Sequence, residues 1–514
     1  MQRKQLTLVI VSLLVVVLSV SLAWFTTQII GKGKNLNVSS ANLQIVFTDS
    51  DGALTETDIE PGWSATKTFT IKNDTKTEYK YNIVIKDLVN TFVTNGYLQY
   101  KITSTNNGYN MTEFKDIPKS SAPKDTILAY SVVIPNGLTQ SYTIEFKYAN
   151  DESVDQSDDM GKKLSGTLFI TEGTEPTLLT QLLADKSTVL TRTDFSTVLT
   201  NDNTNTLYTS TEDSKTVYYF AGNATDNWVK FGKNASNQDL YWRIIRTNSE
   251  GSIRLLYHGT STTATDAYIG KSAFNETYDD PMYVGYMYGT SGSLVNNRTN
   301  TTNSTIKGVI DTWYKDNLNT NYGKYISTTA VYCNDRSNPA GGYNTGKTSF
   351  NYGARTRLDT YKTPTYDCTD TNDKFTVDTS TGNGKLTYPI ALMTADEVSF
   401  AGGLYANYNA NAWYFRNAKE GTLTTSSSST DASYSSTGST YWWLLSPFYW
   451  FGSSARASVF YVGGSSLPGF LGDYFVDGTR GVRPAVSLKS CVKTSGGDGS
   501  AGTPYTIEES TSGC

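Results

Sequence analysis

Histidine is nearly absent: His258 is the one example in 514 residues, and only four cysteines accompany it. That scarcity removes most hydrolase triads and most zinc sites, which need imidazole or thiolate at several positions. An excess of positive charge is lacking too, since 43 Lys and Arg stand against 48 Asp and Glu, a net of −5. No basic block is available to neutralise phosphates, so nucleic acid is not an expected partner. What the chain holds in quantity is aromatic: 36 Tyr, 20 Phe and 9 Trp among dense Thr, Ser and Asn. Such side chains suit pleated, half-buried surfaces, which predicts a mainly β protein of about three folded units at roughly 150 residues each.

Arg3 and Lys4 precede one apolar run, Leu6 to Phe25. As a helix it would span roughly 30 Å of hydrocarbon. Residues 1–35 therefore predict a signal or transmembrane anchor, with the membrane as a partner through the N-terminal helix, and a membrane-anchored, cell-surface location with the C-terminus outside. Ser21-Leu22-Ala23 offers signal-peptidase spacing, so retained anchor and cleaved signal both stay open.

Residues 36–172 alternate with period two, as in Tyr79, Tyr81, Ile83 and Ile85, in Leu128, Tyr130, Val132 and Ile134, and in Tyr142, Ile144, Phe146 and Tyr148. Turn chemistry at Pro61-Gly62, Asn73-Asp74 and Pro135-Asn136-Gly137 separates the runs, which predicts an immunoglobulin-like β-sandwich serving as a stalk. The anchor, Ala23-Trp24-Phe25, and Glu60-Pro61-Gly62 before Thr68-Phe69-Thr70-Ile71-Lys72-Asn73 resemble the camelysin and TasA-like surface and fibre proteins of Gram-positive bacteria. Residues 173–214 turn polar around one helical pattern at Leu178, Leu179, Leu182 and Leu183, and read as a linker with a short helix. From 215 onward an α+β head is expected: strands at 217–220, 241–245 and 253–257, then a capped helix after Ser304 with Ile306, Val309, Ile310, Trp313, Tyr314 and Leu318 along one face.

Tyr441-Trp442-Trp443-Leu444-Leu445-Ser446-Pro447 and, some 35 residues on, Gly481-Val482-Arg483-Pro484-Ala485-Val486-Ser487-Leu488-Lys489 resemble the C-terminal half of bacterial C-type lectin-like domains. Tyr219-Phe220-Ala221-Gly222-Asn223, Trp242-Arg243-Ile244-Ile245-Arg246, Cys333-Asn334-Asp335-Arg336-Ser337 and Tyr388-Pro389-Ile390 resemble a surface family of gut Firmicutes with that fold. The resemblance implies a C-type lectin-like ligand-binding domain over 215–514. It also implies the architecture of diversity-generating retroelement target proteins, in which a scaffold (here Trp442, Trp443, Ser446, Pro447, Arg483 and Pro484) brackets a variable, ligand-contacting stretch.

That stretch, 448–475, has nine aromatics in 28 positions against 13% for the chain, with Gly and Ser between them. Rigid rings among small residues are the composition of antibody paratopes. Phe448, Tyr449, Trp450 and Phe451 are expected on a loop, from which four consecutive rings cannot all turn inward. Ser453, Ser454, Arg456, Phe470, Tyr474 and Phe475 complete the expected ligand surface, and Arg483 is expected to satisfy scaffold carbonyls through its planar fork.

No catalytic residue is assigned. His258 reads as a solvated or locally hydrogen-bonded side chain, and Asp396-Glu397 as scaffold polarity, since neighbouring helical positions face apart. Asp473 and Asp477 carry oxygens that calcium could use, but Glu-Pro-Asn, Gln-Pro-Asp and Trp-Asn-Asp are missing, so no cofactor is expected. Of three possible cysteine pairings, Cys333 with Cys368 and Cys491 with Cys514 close the shortest loops, against the alternative of four idle thiols. The expected function is a non-enzymatic receptor or adhesin for an extracellular protein or glycan; the alternative is a structural subunit of a surface fibre or pilus-like filament.

Overall fold

The computed structural model describes residues 35–40, 43–49, 54–56, 59–94, 96–173, 176–186, 188–199, 203–339, 341, 343, 348–407, 412–418, 437–465, 467–509 and 514. The chain forms two compact units, Met1–Pro176 and Thr177–Cys514.

The first unit contains β1 (Asn35–Ser40), β2 (Leu43–Asp49), β3 (Leu54–Glu56), β4 (Ser64–Asn73), β5 (Tyr79–Asn90), β6 (Leu98–Ser104), β7 (Lys115–Asp116), β8 (Ser120–Ile134), β9 (Thr139–Tyr148) and β10 (Leu164–Glu172). They pair antiparallel into two sheets, β1-β2-β4-β9-β6-β7 and β3-β10-β5-β8. Inward residues of both sheets share one core, with Ile71, Tyr142, Ile144 and Phe146 from one and Tyr81, Ile83 and Ile170 from the other. Strand β9 alternates cleanly, but β8 does not. A register shift opposite Tyr81 and Ile83 comes with a positive φ of 45° at Ser131, whose N–H donates to the buried Asn82 Oδ1 at 2.8 Å. Leu128 and Ala129 are consequently both buried while Tyr130 turns half outward.

The second unit begins with α1 (Leu178–Asp185), β11 (Thr188–Thr191), β12 (Thr206–Glu212), β13 (Lys215–Tyr219), β14 (Trp228–Lys233), β15 (Asp239–Thr247) and β16 (Ile253–Gly259). After α2 (Thr305–Tyr314) come β17 (Ile390–Leu392), α3 (Ala395–Phe400), β18 (Trp442–Phe451), β19 (Arg456–Val462), β20 (Leu471–Phe475), β21 (Pro484–Leu488) and β22 (Tyr505–Ile507). Strands β11 to β17, β21 and β22 belong to a ten-stranded sheet, and β18, β19 and β20 to a six-stranded one. Helix α2 starts on Ser304, whose Oγ accepts from the Lys307 N–H, and buries Ile306, Ile310 and Tyr314.

Two expectations are corrected here. The stretch 173–214 has its short helix, but from Thr177 on it is part of the second unit and not a linker: Leu178, Leu182 and Leu207 lie in the core of that unit, β11 pairs with β12, and β12 pairs with β13. Polar residues here are not all outward, since Lys186, Thr206 and Glu212 are buried while Val189 and Leu190 are exposed. The membrane anchor is also withdrawn, and with it the transmembrane part of the fold class, the membrane as a partner and the anchored location. Among the described residues no helix is long and apolar enough to cross a membrane. The α-helix at Thr305–Tyr314 has ten residues, roughly 15 Å, half of what a bilayer requires. The run Leu6 to Phe25 lies outside the described residues. The fold is mixed α and β, mostly β, with small helices.

Candidate functional site

Strand β18 carries the aromatic stretch expected on a loop. Trp442 to Phe448 are buried throughout, because register shifts against β19 between Trp443 and Pro447 and again between Pro447 and Tyr449 interrupt the alternation. Within the expected binding quartet this is a correction: Phe448 and Trp450 are core residues at 1% and 0% exposure, while Tyr449 and Phe451 are half-buried and face outward. A strand sends neighbours to opposite faces, so only alternate rings remain available. The turn Gly452–Ala455 leaves Ser453 and Ser454 exposed.

Around Tyr449 and Phe451 the structure assembles rings and guanidinium groups. Tyr449 meets Phe451 edge to face at 4.5 Å between centroids, and Phe451 meets Phe475 at 5.3 Å. Arg456, opposite Phe451 in register, lies 4.3 Å from the Phe475 ring and 4.7 Å from that of Tyr278, and is held by Asp477 at 2.6 Å. Arg355 lies 4.4 Å from both the Phe448 and Tyr449 rings. Tyr278 and Tyr474 are 38% and 43% exposed. Tyr474 sits next to Phe475 but alternates to the other face, where Arg480 covers it at 4.0 Å; Phe470 packs half-buried against Tyr461. At the inner margin Tyr405 donates to Asp473 at 3.2 Å, and burial pushes the Asp473 carboxyl up. Arg355, Tyr405 and Tyr278 were missed in the sequence because they come from segments 40 to 170 residues away, with no periodicity linking them to β18.

Of the scaffold residues, Trp442, Trp443, Ser446 and Pro447 are buried positions of β18 itself, whereas Pro484 opens β21 in the ten-stranded sheet and Arg483 directly precedes it. Trp442 and Trp443 are fully buried, the Ser446 Oγ accepts from the Ala395 N–H at 2.9 Å, and Pro484 stands opposite Leu392 in the ladder. Arg483 is wholly buried and donates to the Tyr257 carbonyl at 3.0 and 3.1 Å and to the Tyr414 carbonyl at 2.6 Å. Cys333 is bonded to Cys368 and Cys491 to Cys514, with Cα atoms 5.7 Å apart in each.

A separate polar cleft is lined by Glu212, Arg246, Asp335, Arg357, Tyr366 and Asp396 among others. Its carboxylates are clamped: Arg246 pairs with Glu212 at 2.8 Å and with Glu397 at 2.9 Å, and Arg357 with Asp335 at 2.6 Å and Asp396 at 2.9 Å. Asp396 and Glu397 thus point to different partners. His258 departs from expectation: it is 0% exposed, its ring lies edge-on to Trp228 at 4.4 Å, and neither ring nitrogen has a partner. Among the described residues no cluster of three His, Cys, Asp or Glu could hold a metal ion.

The fold and the site define a β-rich protein of two units with an aromatic and arginine surface on a rigid hairpin. A family model described as a domain of unknown function, DUF6273, matches residues 363–490, which span β17 to β21. No curated protein matches the chain. A solved structure titled "AvmM Catalyzes Macrocyclization in Alchivemycin A Biosynthesis" is similar over 29% of this chain and 100% of its own, with 10% identity and a TM-score of 0.15. A score that low carries no argument about fold or activity.

Proposed function

We propose that the second unit is a non-enzymatic, receptor-type binding module of C-type lectin-like kind, which takes a protein or glycan ligand on the face formed by Tyr449, Phe451, Arg456 and Phe475. One observation carries the reading: half-buried rings interleaved with guanidinium groups stand on a hairpin whose inward residues are core. Aromatic and arginine side chains dominate binding hot spots, because they bury much area for few lost rotamers. Here the rings are already held edge to face, so little ordering entropy remains to be lost on binding. Tyr278 and Arg355 enlarge the surface from neighbouring segments, and Ser453 and Ser454 at the hairpin tip supply adaptable hydrogen bonds.

The test is a triple Tyr449→Ala, Phe451→Ala, Phe475→Ala variant, screened with the unaltered protein against immobilised glycans and proteins. Loss of about thirtyfold or more in affinity is expected, the scale of a hot spot, with the melting temperature lowered by only a few degrees. Unchanged capture, or a collapse of the fold, would overturn the assignment.

A further inference from the structure

The interior of the ten-stranded sheet holds an unusual concentration of positive charge around an unpartnered imidazole. His258 is the extra residue of a bulge: Tyr241 pairs with Gly259 and Trp242 with Tyr257, leaving His258 outside the ladder. Bulges re-aim side chains, and this one turns His258 against Trp228 in a T-shaped pair, and the Arg243 guanidinium lies over the Trp228 ring at 4.1 Å. The carbonyl of the preceding residue, Tyr257, accepts two bonds from Arg483. His258, Arg243 and Arg483 are 0%, 2% and 0% exposed.

Charge in this group is not balanced. Among the described residues neither Arg243 nor Arg483 has a carboxylate within ion-pair distance; Arg243 donates to the Asn227 Oδ1 and to the carbonyls of Arg416 and Ala224. Asp226 is the nearby acid that acts on Arg243, and its Oδ2 is engaged by the buried Lys186 at 2.7 Å. Burial first, then Arg483 and Arg243, holds His258 well below its usual range, so the imidazole is neutral and offers one N–H and one lone pair. Both are unsatisfied. Each guanidinium has five donors and uses three in these bonds. A surplus of donors and of positive charge, sealed from water, calls for an acceptor that brings negative charge.

We propose that this cluster binds one small inorganic anion, chloride in ordinary solution, held by His258, Arg243 and Arg483. The site lies apart from the aromatic face and does not depend on that reading. The competing occupant is a water molecule hydrogen-bonded to the unpartnered His258 nitrogens. Melting of the full chain is compared in sodium chloride and sodium gluconate at equal ionic strength, and crystals grown in sodium bromide are measured for anomalous scattering. A saturable rise of about 2 °C in chloride at a tenfold excess over its dissociation constant is expected. A bromide peak beside the His258 ring is expected as well. His258→Phe keeps the ring against Trp228 and should abolish the rise while leaving ligand capture unchanged. Identical melting in both salts with no bromide peak means water and overturns the proposal. If the variant does not fold, the bromide experiment on the unaltered protein decides alone.

Discussion

Glu397 does three tasks with one carboxylate. Its Oε2 accepts from the Thr394 N–H at 2.9 Å while the Thr394 Oγ1 accepts from the Glu397 N–H at 3.1 Å, a reciprocal cap that starts α3. Its Oε1 accepts from Arg246 at 2.9 Å and Arg254 at 2.7 Å, joining the helix to two strands of the large sheet. Burial alone would raise this carboxyl, yet the two guanidinium groups and the cap hold it below the usual range. A depressed carboxyl stabilises the fold above its unfolded value, near 4.3, and that contribution disappears as pH falls through the folded value. Glu397→Gln is expected to lower stability at pH 7 by about 3–5 kcal/mol, because Arg254 is left buried without its carboxylate. It should also flatten the loss of stability that sets in as pH falls below the ordinary glutamate value of about 4.3. Denaturant titrations of both proteins across that range check this; an unchanged acid slope would place the acid sensitivity in Glu212 and Asp335 instead. Scaffold polarity was legible at Glu397 from adjacent helical positions facing apart, but its two arginine partners come from strands 143 and 151 residues away and left no local trace.

At the level of the element, β18 separates folding from surface chemistry within two neighbouring residues. Trp450→Ala is expected to cost about 3–5 kcal/mol, since a fully buried indole leaves a cavity. Phe451→Ala should cost no more than about 1–2 kcal/mol, because part of its area is already in water. Ligand capture should respond in the reverse order among variants that remain folded, and equal stability losses at both positions would show that the strand has no outer face. The aromatic density of 448–475 was readable in the sequence; its division into inner and outer rings was not. Period-two reasoning works where a ladder is unbroken, as in β9. It fails at β8 and β18, where register shifts are set by partners distant in sequence, Asn82 for one and β19 for the other. Likewise the helical pattern at Leu178 and Leu182 was readable within the polar stretch 173–214, but not that it and Leu207 belong to the core of the second unit, because the side chains that bury them come from distant segments.

On the scale of the whole molecule, those three leucines decide where the second unit starts. A fragment of residues 177–514 is expected to fold as the full chain does. One beginning at 215 loses roughly 5–9 kcal/mol of apolar burial, together with the Glu212 partner of Arg246. That is comparable with the whole stability of a domain. Circular dichroism melting of the two fragments checks this, and a 215–514 fragment with an undiminished melting temperature would restore the linker. The same boundary has a consequence for how the unit can be joined to other chains. Thr177 bridges Lys493, the Leu178 N–H donates to the Val492 carbonyl at 2.7 Å, and Cys491 is tied to Cys514. Entry and exit are therefore stitched side by side. A polypeptide interrupted by this unit would resume almost where it left off, so the module can be spliced into a surface loop of another protein like a bead clipped onto a string, without prising its host apart.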